Sequence, residues 1–462
     1  MRILIFSLGP IFKDFVHGGS QKILREIAIH LGNKGHTIDI FCTQRKDNNK
    51  MFYLSNKVCV HPILKFKETF PDPYRTPPYN LSSVISILNK EIVKHDVFYI
   101  HDSDLPFFTD YNIPTVWSLR DFVYPESVIG GLNFSRDVMI INSKYTYLSY
   151  LSLIRGYRKN PEKRIVLIPN GININHFKYK NPEYLRKKIG LSENDLSIIY
   201  PHRPEESKGI FEVLKVLDIL VNKRGLKNIK LLIPMYVDLN VSTQLDKIYK
   251  LIKKEAQRLN IFSNIIFHEW ITYEKMPEYY SIGNLSLSIG NFVESFPNVS
   301  LESIACGTPS ISARVAAHRY ILPEDIEKKI DFGDTHGCAD IAFDYLTMND
   351  KKLKKLINIG RDYIISNFKF DKMLNNYEEI ITNCVKNKKL SRINTSRKEK
   401  IYGIPSWCYL SERFGFYNDY NQGYIADKKF IELIKGKEKI QLNKDNHDII
   451  IKHFEDGNLI LI

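Results

Sequence analysis

Residues 3–43 read ILIFSLGPIFKDFVHGGSQKILREIAIHLGNKGHTIDIFCT, and this stretch decides the fold. The run ILIFSL at 3–8 is apolar and of the length expected for a buried strand. A loop carrying Gly18 and Gly19 follows. From Ser20 the apolar residues Ile23, Ile27 and Leu31 recur on one helix face, with Ser20 placed to cap the start. Gly35 ends that helix, and HTIDIFCT at 36–43 returns to strand. Strand, glycine loop, helix and strand make the right-handed unit from which doubly wound parallel sheets are built.

The alternation continues outward. VCVHPI (58–63), DVFYIH (96–101), PTVWSL (114–119), VMIIN (138–142) and RIVLIP (164–169) read as buried parallel strands, and 81–94 as a helix between two of them. PDPYRTPP (71–78) is too proline-rich for regular structure and reads as a surface loop. NGININHF (170–177) is a turn signal that opens a polar, lysine-rich stretch to 195, the best domain boundary. A second series then starts. LSIIYPHR (196–203), IKLLIP (229–234), NIIFHEW (264–270), LSLSIG (285–290) and PSISA (309–313) read as strands, with helices over 207–222 and 298–306. Helical periodicity covers 350–388, and the basic run 386–400 reads as a linker. The tail regains aromatic residues and ends IIIKHFEDGNLILI, where apolar runs about Asp456-Gly457 predict a β-hairpin. The expected organisation is an N-terminal α/β domain (1–180), a second α/β domain (181–370), a helix (371–388), and a basic linker with a small appendage (389–462).

At 462 residues the chain exceeds one core, and 44% hydrophobic with 26% charged residues is ordinary for a soluble globular protein. The N-terminus lacks the pattern of a secretory leader, and no run of about 18 apolar residues exists to span a membrane. The six cysteines (Cys42, Cys59, Cys306, Cys338, Cys384, Cys408) are scattered without CxxC spacing, which argues against a disulfide framework or a zinc site and fits a reducing cytoplasm. The net charge of +14 fits attraction to polyanions as well as plain compositional bias. Nucleic-acid binding has only that charge and the run 386–400 in its favour and is set aside.

Several residues carry candidate chemistry. The pair Gly18-Gly19, between a strand and a helix start, lets backbone N–H groups approach an anion, though a plain tight turn explains it equally. In YPHRPEESKG, Arg203 follows a strand and Lys208 precedes a helix, so both cations can converge on one diphosphate; a solvated lysine is the bland alternative. Glu294 also follows a strand, and Glu302 lies in the next helix, where a carboxylate can accept hydroxyl protons. In the loop between them Pro297 donates nothing, so Phe296, Asn298 and Val299 would supply the N–H groups for a phosphate or sugar hydroxyl.

ESFPNVSLESIACGTP at 294–309 resembles the Glu-x7-Glu segment of family-4 glycosyltransferases, retaining enzymes of the GT-B fold. The resemblance covers about residues 1–385. It rests on four motifs in order: HGGSQ (17–21), IPNGIN (168–173) with Phe177, Arg203 with Lys208-Gly209, and the Glu294/Glu302 pair. It implies two Rossmann-like, doubly wound domains facing across a cleft, acceptor domain first and donor domain second, with helix 371–385 crossing back to the first. It implies that Arg203 and Lys208 hold the donor diphosphate, that Glu302 binds the ribose hydroxyls, that Glu294 contacts the donor sugar, and that Gly19 lies under the diphosphate. The expected activity is retaining transfer of a hexosyl or N-acetylhexosaminyl group from a nucleotide sugar, taken as a UDP-sugar. The acceptor is a hydroxyl of a glycan, a lipid-linked glycan or a small molecule, in polysaccharide, glycolipid or glycoconjugate synthesis. No cofactor and no metal are expected, and the basic charge suggests peripheral contact with an anionic inner-membrane surface. Three features depart from the family. Arg120 stands where a histidine near the reacting sugar is usual, while His101 matches an earlier family histidine. AAHRYILPED replaces a glycine-containing loop, and the tail after about 400 has no counterpart. The competing readings are a GT-B sugar-nucleotide epimerase and a catalytically silent sugar-nucleotide-binding protein.

Overall fold

The structure, a computed structural model, describes residues 1–14, 16, 18–67, 71–108, 111–156, 158–235, 242–388 and 401–462. The chain forms two units. The first comprises Met1–Pro169, Asp371–Tyr409 and Asp427–Ile462; the second comprises Asn170–Phe370 and Leu410–Ala426. The second unit thus begins inside the turn 170–177, earlier than residue 181.

In the first unit, β1 (Arg2–Ser7), β2 (Thr37–Thr43), β3 (Phe52–Ser55), β4 (Val58–Leu64), β5 (Val97–His101), β6 (Thr115–Leu119), β7 (Val138–Ile141) and β8 (Ile165–Leu167) form one sheet. Its order is β3-β4-β2-β1-β5-β6-β7-β8, parallel except for β3 against β4. Ile3, Leu4, Ile5 and Phe6 of β1 are fully buried because helices cover both faces, which is why the run reads as continuously apolar. The strand order reverses between β1 and β5, where Ser7 faces His101. The first helix, Gly19–Asn33, buries Ile23, Leu24, Ile27, Ala28 and Leu31, but Gly18 occupies its N-cap. Ser20 sits inside the first turn, and its hydroxyl donates to Asp102 Oδ2 at 3.0 Å instead of capping. The helix Phe370–Thr382 packs into this unit through Tyr377, whose hydroxyl meets Ser118 and Arg120.

In the second unit, β9 (Leu196–Ile199), β10 (Ile229–Met235), β11 (Ile265–Glu269), β12 (Leu285–Ser288), β13 (Ser310–Ala313) and β14 (Lys328–Ile330) form an all-parallel sheet. Its order, β11-β10-β9-β12-β13-β14, reverses between β9 and β12. The strand expected over 196–203 stops at Ile199, since Pro201 has no N–H to give the ladder.

The tail adds β15 (Ile401–Gly403), β16 (Cys408–Ser411), β17 (Gly415–Asn418), β18 (Gly423–Ile425), β19 (Ile440–Gln441) and β20 (Ile460–Leu461), in two three-stranded sheets, β19-β15-β20 and β16-β17-β18. It is not one appendage, because its middle belongs to the second unit and its flanks to the first. The hairpin expected about Asp456-Gly457 is a helix end. His447–Glu455 is helical, Gly457 takes φ +73, and Asn458 N donates back to His453 O at 2.8 Å. A glycine of positive φ serves a helix C-terminus as well as a hairpin, so the dipeptide alone does not separate the two. The run 389–400, expected as a linker, lies outside the described residues. No helix among the described residues is long and apolar enough to cross a membrane.

Candidate active site

The loops after β9 and β12 leave the second sheet at its point of reversal, the place where doubly wound sheets bind ligands. The first loop carries His202, Arg203 and a short 3-10 turn, Glu206–Lys208, and ends at Gly209 with φ +80. The second starts at Ile289 and Gly290. These glycines pack backbone to backbone: a Cβ on Gly209 would lie 2.6 Å from Gly290 N, and one on Gly290 would lie 2.3 Å from Ser207 O. Asn291 N and Phe292 N both donate to Ser207 O at 2.9 Å, locking the loops together. No side chain larger than hydrogen fits this crossing, so the glycines are dictated by it.

The crossing brings Lys208 onto Glu294. Lys208 Nζ lies 2.5 Å from Glu294 Oε1 and 3.9 Å above the Phe292 ring. His318 Nε2 is 3.9 Å from Glu294 Oε2, while its Nδ1 is buried without a hydrogen-bond partner among the described residues. Burial opposes ionisation of Glu294, yet the Lys208 charge, with His318 and His202 nearby, brings its pKa down to about 2. Burial also pushes His202 down to about 3 and lowers His318, so both rings are neutral near pH 7. His202 Nε2 meets Ser288 Oγ at 3.0 Å. Arg203 is half exposed and pairs with Glu205 at 3.1 Å.

The helix Asn298–Ala305 follows directly. Pro297 occupies its N-cap, and its end is set by Gly307 at φ +94, followed by Pro309. Its first-turn amides have no acceptors within the helix, so Asn298 and Val299 sit at an end suited to anions. Phe296 is buried and meets the Phe368 ring at 6.1 Å; Asn298 Oδ1 accepts from Asn170 Nδ2 at 3.3 Å. Glu302 lies one turn into the helix, where the buried Tyr280 hydroxyl donates to its Oε2 at 3.0 Å.

Arg203, Lys208, Glu294, Phe296, Pro297, Asn298, Val299 and Glu302 therefore share one set of loops in the second unit. Gly18, Gly19, His101 and Arg120 stand in the first unit, on the loops and strand ends at and beside its own reversal point. His101 is fully buried, with Nδ1 2.9 Å from Tyr99 OH and Nε2 3.0 Å from Ser20 O. Arg120 is 3% exposed and donates to Tyr377 OH at 2.9 Å. Asp104 forms a buried fork with Arg136 at 2.9 and 3.0 Å. In the same unit Asp39, Cys59 and His61 bring their ligand-type atoms within 4.8 Å of one another. Asp39 there contacts His61 at 3.1 Å and His95 at 3.0 Å, which hold its carboxyl well below the usual range. Sequence reasoning missed His202, Phe292, His318 and Gly290 as site residues. Gly290, closing the run LSLSIG, was the one signal available.

Residues 182–328 match the model of the family described as glycosyl transferases group 1. The chain is similar to N-acetyl-alpha-D-glucosaminyl L-malate synthase of Bacillus anthracis, 23% identical over 407 residues, covering 81% of this chain and 97% of that one. Among solved structures it resembles sucrose-phosphate synthase from Thermosynechococcus elongatus (TM-score 0.66, 17% identity, 82% and 98% of the two chains). It also resembles Anabaena HepE in complex with UDP-glucose (TM-score 0.63, 15% identity, 83% and 99%). The chain is a glycosyltransferase of the GT-B fold. The stretch that matches the group-1 model, residues 182–328, carries the Lys208–Glu294 site, and the activity is glycosyl transfer from a nucleotide sugar.

Proposed function

We propose that the protein is a retaining enzyme that moves a hexosyl or N-acetylhexosaminyl group from a UDP-sugar to an acceptor hydroxyl. The observation that carries this reading is the Lys208–Glu294 pair, fixed by the Gly209–Gly290 crossing at the sheet reversal. Lys208 would take the donor diphosphate, joined by Arg203, whose exposed pairing with Glu205 is weak enough to exchange for phosphate. Glu294 would then turn to the hydroxyls of the donor sugar, and Glu302, steadied by Tyr280, to the ribose. The amides of Phe296, Asn298 and Val299 would face phosphate or sugar oxygens. The name of the B. anthracis relative supports an N-acetylhexosamine, and the UDP-glucose of the Anabaena structure supports uridine.

The chemistry asked of the protein is electrostatic. As the C1–O bond opens toward an oxocarbenium-like state, charge grows on the leaving diphosphate, which itself takes the acceptor proton on the same face. Lys208, Arg203 and the helix N-terminus stabilise that charge in place. The acceptor is a hydroxyl of a glycan, a lipid-linked glycan or a small molecule. On this reading the reaction runs in the cytoplasm, and the +14 charge favours contact with anionic lipid. Two measurements test this. Among UDP, GDP and ADP, UDP should raise the melting temperature most. Lys208→Ala should lower turnover on the order of a hundredfold with the fold intact; normal turnover by that variant would refute the assignment.

A further inference from the structure

The loop that replaces the family's glycine segment does not adopt an ordinary conformation. Ala316 has φ +46, in the left-handed region that an L side chain rarely occupies. The next residue, Ala317, donates its N–H to Glu294 O at 3.2 Å, and His318 after it faces Glu294 Oε2. The turn Ala316–Arg319 is therefore the backing of Glu294.

What holds Ala316 in place comes from the tail. Asp419, fully buried at the end of β17, accepts the Ala316 N–H on Oδ1 at 3.1 Å. The same carboxylate takes Arg319 in a fork, Nη1 to Oδ1 at 2.9 Å and Nη2 to Oδ2 at 2.6 Å. The segment around it is fastened to the second unit at three more points. Ser411 donates to Asp331, Arg413 pairs with Asp334 at 3.2 Å, and Tyr424 OH donates to Phe332 O at 3.2 Å. Phe416 and Tyr417 are fully buried beside Asp419. The carboxylate of Asp419 is thus directed at one turn, and that turn touches Glu294.

We propose that Asp419 is a positioning residue of the donor site, and that segment 410–426 is the means of holding this loop in a left-handed turn. A glycine would reach φ +46 without help; an alanine needs the brace. The inference rests on the donor-site reading above, and Asp419 acts through Ala316–Arg319 rather than on substrate.

The test uses the full chain and the variants Asp419→Asn, Ala316→Val, and Asp419→Asn with Ala316→Gly. Affinities for UDP, UDP-glucose and UDP-N-acetylglucosamine are measured by calorimetry, and amide exchange is followed by mass spectrometry over 292–298 and 314–321. Because Glu294 is assigned to the sugar, Asp419→Asn should weaken whichever UDP-sugar binds by about tenfold relative to UDP, roughly one charge-assisted hydrogen bond. Exchange of Ala317 should rise in parallel. Adding Ala316→Gly to Asp419→Asn should restore both, which a general loss of packing would not allow. Ala316→Val, which leaves the buried Asp419–Arg319 pair intact, should reproduce the loss and decides the matter where Asp419→Asn does not fold. A wild-type UDP-sugar to UDP ratio with unchanged exchange in either single variant would overturn the proposal, as would failure of the glycine to rescue. If the wild type binds none of the three nucleotides, the donor-site reading fails. Exchange at Ala317 then judges the brace alone, faster in Asp419→Asn and recovered by Ala316→Gly if it holds, unchanged if it does not.

Discussion

Burial alone would protonate Glu294; it remains charged chiefly because Lys208 stands at 2.5 Å. On the proposed reading, a carboxylate so close to the donor diphosphate also repels it. Replacing Glu294 with Gln should therefore tighten UDP binding a few-fold while lowering sugar transfer by about a hundredfold, read as a split between nucleotide affinity and kcat. The same variant isolates a pH effect. With its pKa brought from 4.5 to about 2 on folding, Glu294 contributes stability above pH 4.5 that is lost as pH falls toward 2. The melting-temperature gap between wild type and Glu294→Gln should shrink over that window; a constant gap would contradict the pairing. At this scale the sequence was informative where chemistry is concentrated in a motif. Glu294 and Arg203 were picked out by their places after strands, and Lys208 by its place before a helix. His318 was not, because nothing in AAHRYILPED marks a histidine that meets an acid some two dozen residues earlier across a turn.

The elements carry the site through one crossing. Gly209 and Gly290 touch backbone to backbone, so Lys208 is placed by main chain rather than by the rotamer of a long side chain. Gly290→Ala would push a methyl to within 2.3 Å of Ser207 O and 2.4 Å of the Lys208 carbonyl carbon. The expected cost is about 1–3 kcal/mol of stability, as for overpacking elsewhere, together with weakened UDP binding; denaturant melts and calorimetry on the same sample would show both. If the variant bound UDP normally, the crossing would not be what positions Lys208. Strands buried on both faces were read correctly as apolar runs, since their composition is set by burial alone. The short edge strand β14, Lys328–Ile330, escaped notice because two of its three residues are lysines. One of them, Lys329, is nonetheless buried and turns its Nζ to Leu322 O. The reading of Asp456-Gly457 failed for a local reason too: the helix before it is identified by Ile450 and His453 being buried three residues apart, not by the turn.

At the scale of the whole molecule, the two parallel sheets were legible and the tail was not. Alternating strand and helix patterns announce a doubly wound sheet because each element repeats a local period, and the sheet order follows from short right-handed connections. The tail has no such period. Its contribution is a set of contacts with residues far back in the chain, such as Asp419 with Arg319 and Ser411 with Asp331, and neither partner's neighbourhood advertises the other. The three similar proteins described above cover 81–83% of this chain, which leaves room for the tail to be an addition, yet the structure builds it into both units. A chain ending at Lys388 should therefore behave as a damaged enzyme rather than a trimmed one. Arg319 would lose the carboxylate that compensates its buried charge, a loss of roughly 3–5 kcal/mol for a buried pair. The Phe332 ring, packed against Tyr417, would lose that cover, at a further cost of up to about 1.5–3 kcal/mol for an apolar side chain left to water. Calorimetry of the truncated chain should show a melting temperature lowered by several degrees, with the UDP-induced rise reduced or gone. A truncated chain that melts with the full one, and responds equally to UDP, would show that the tail rests on the enzyme without supporting it.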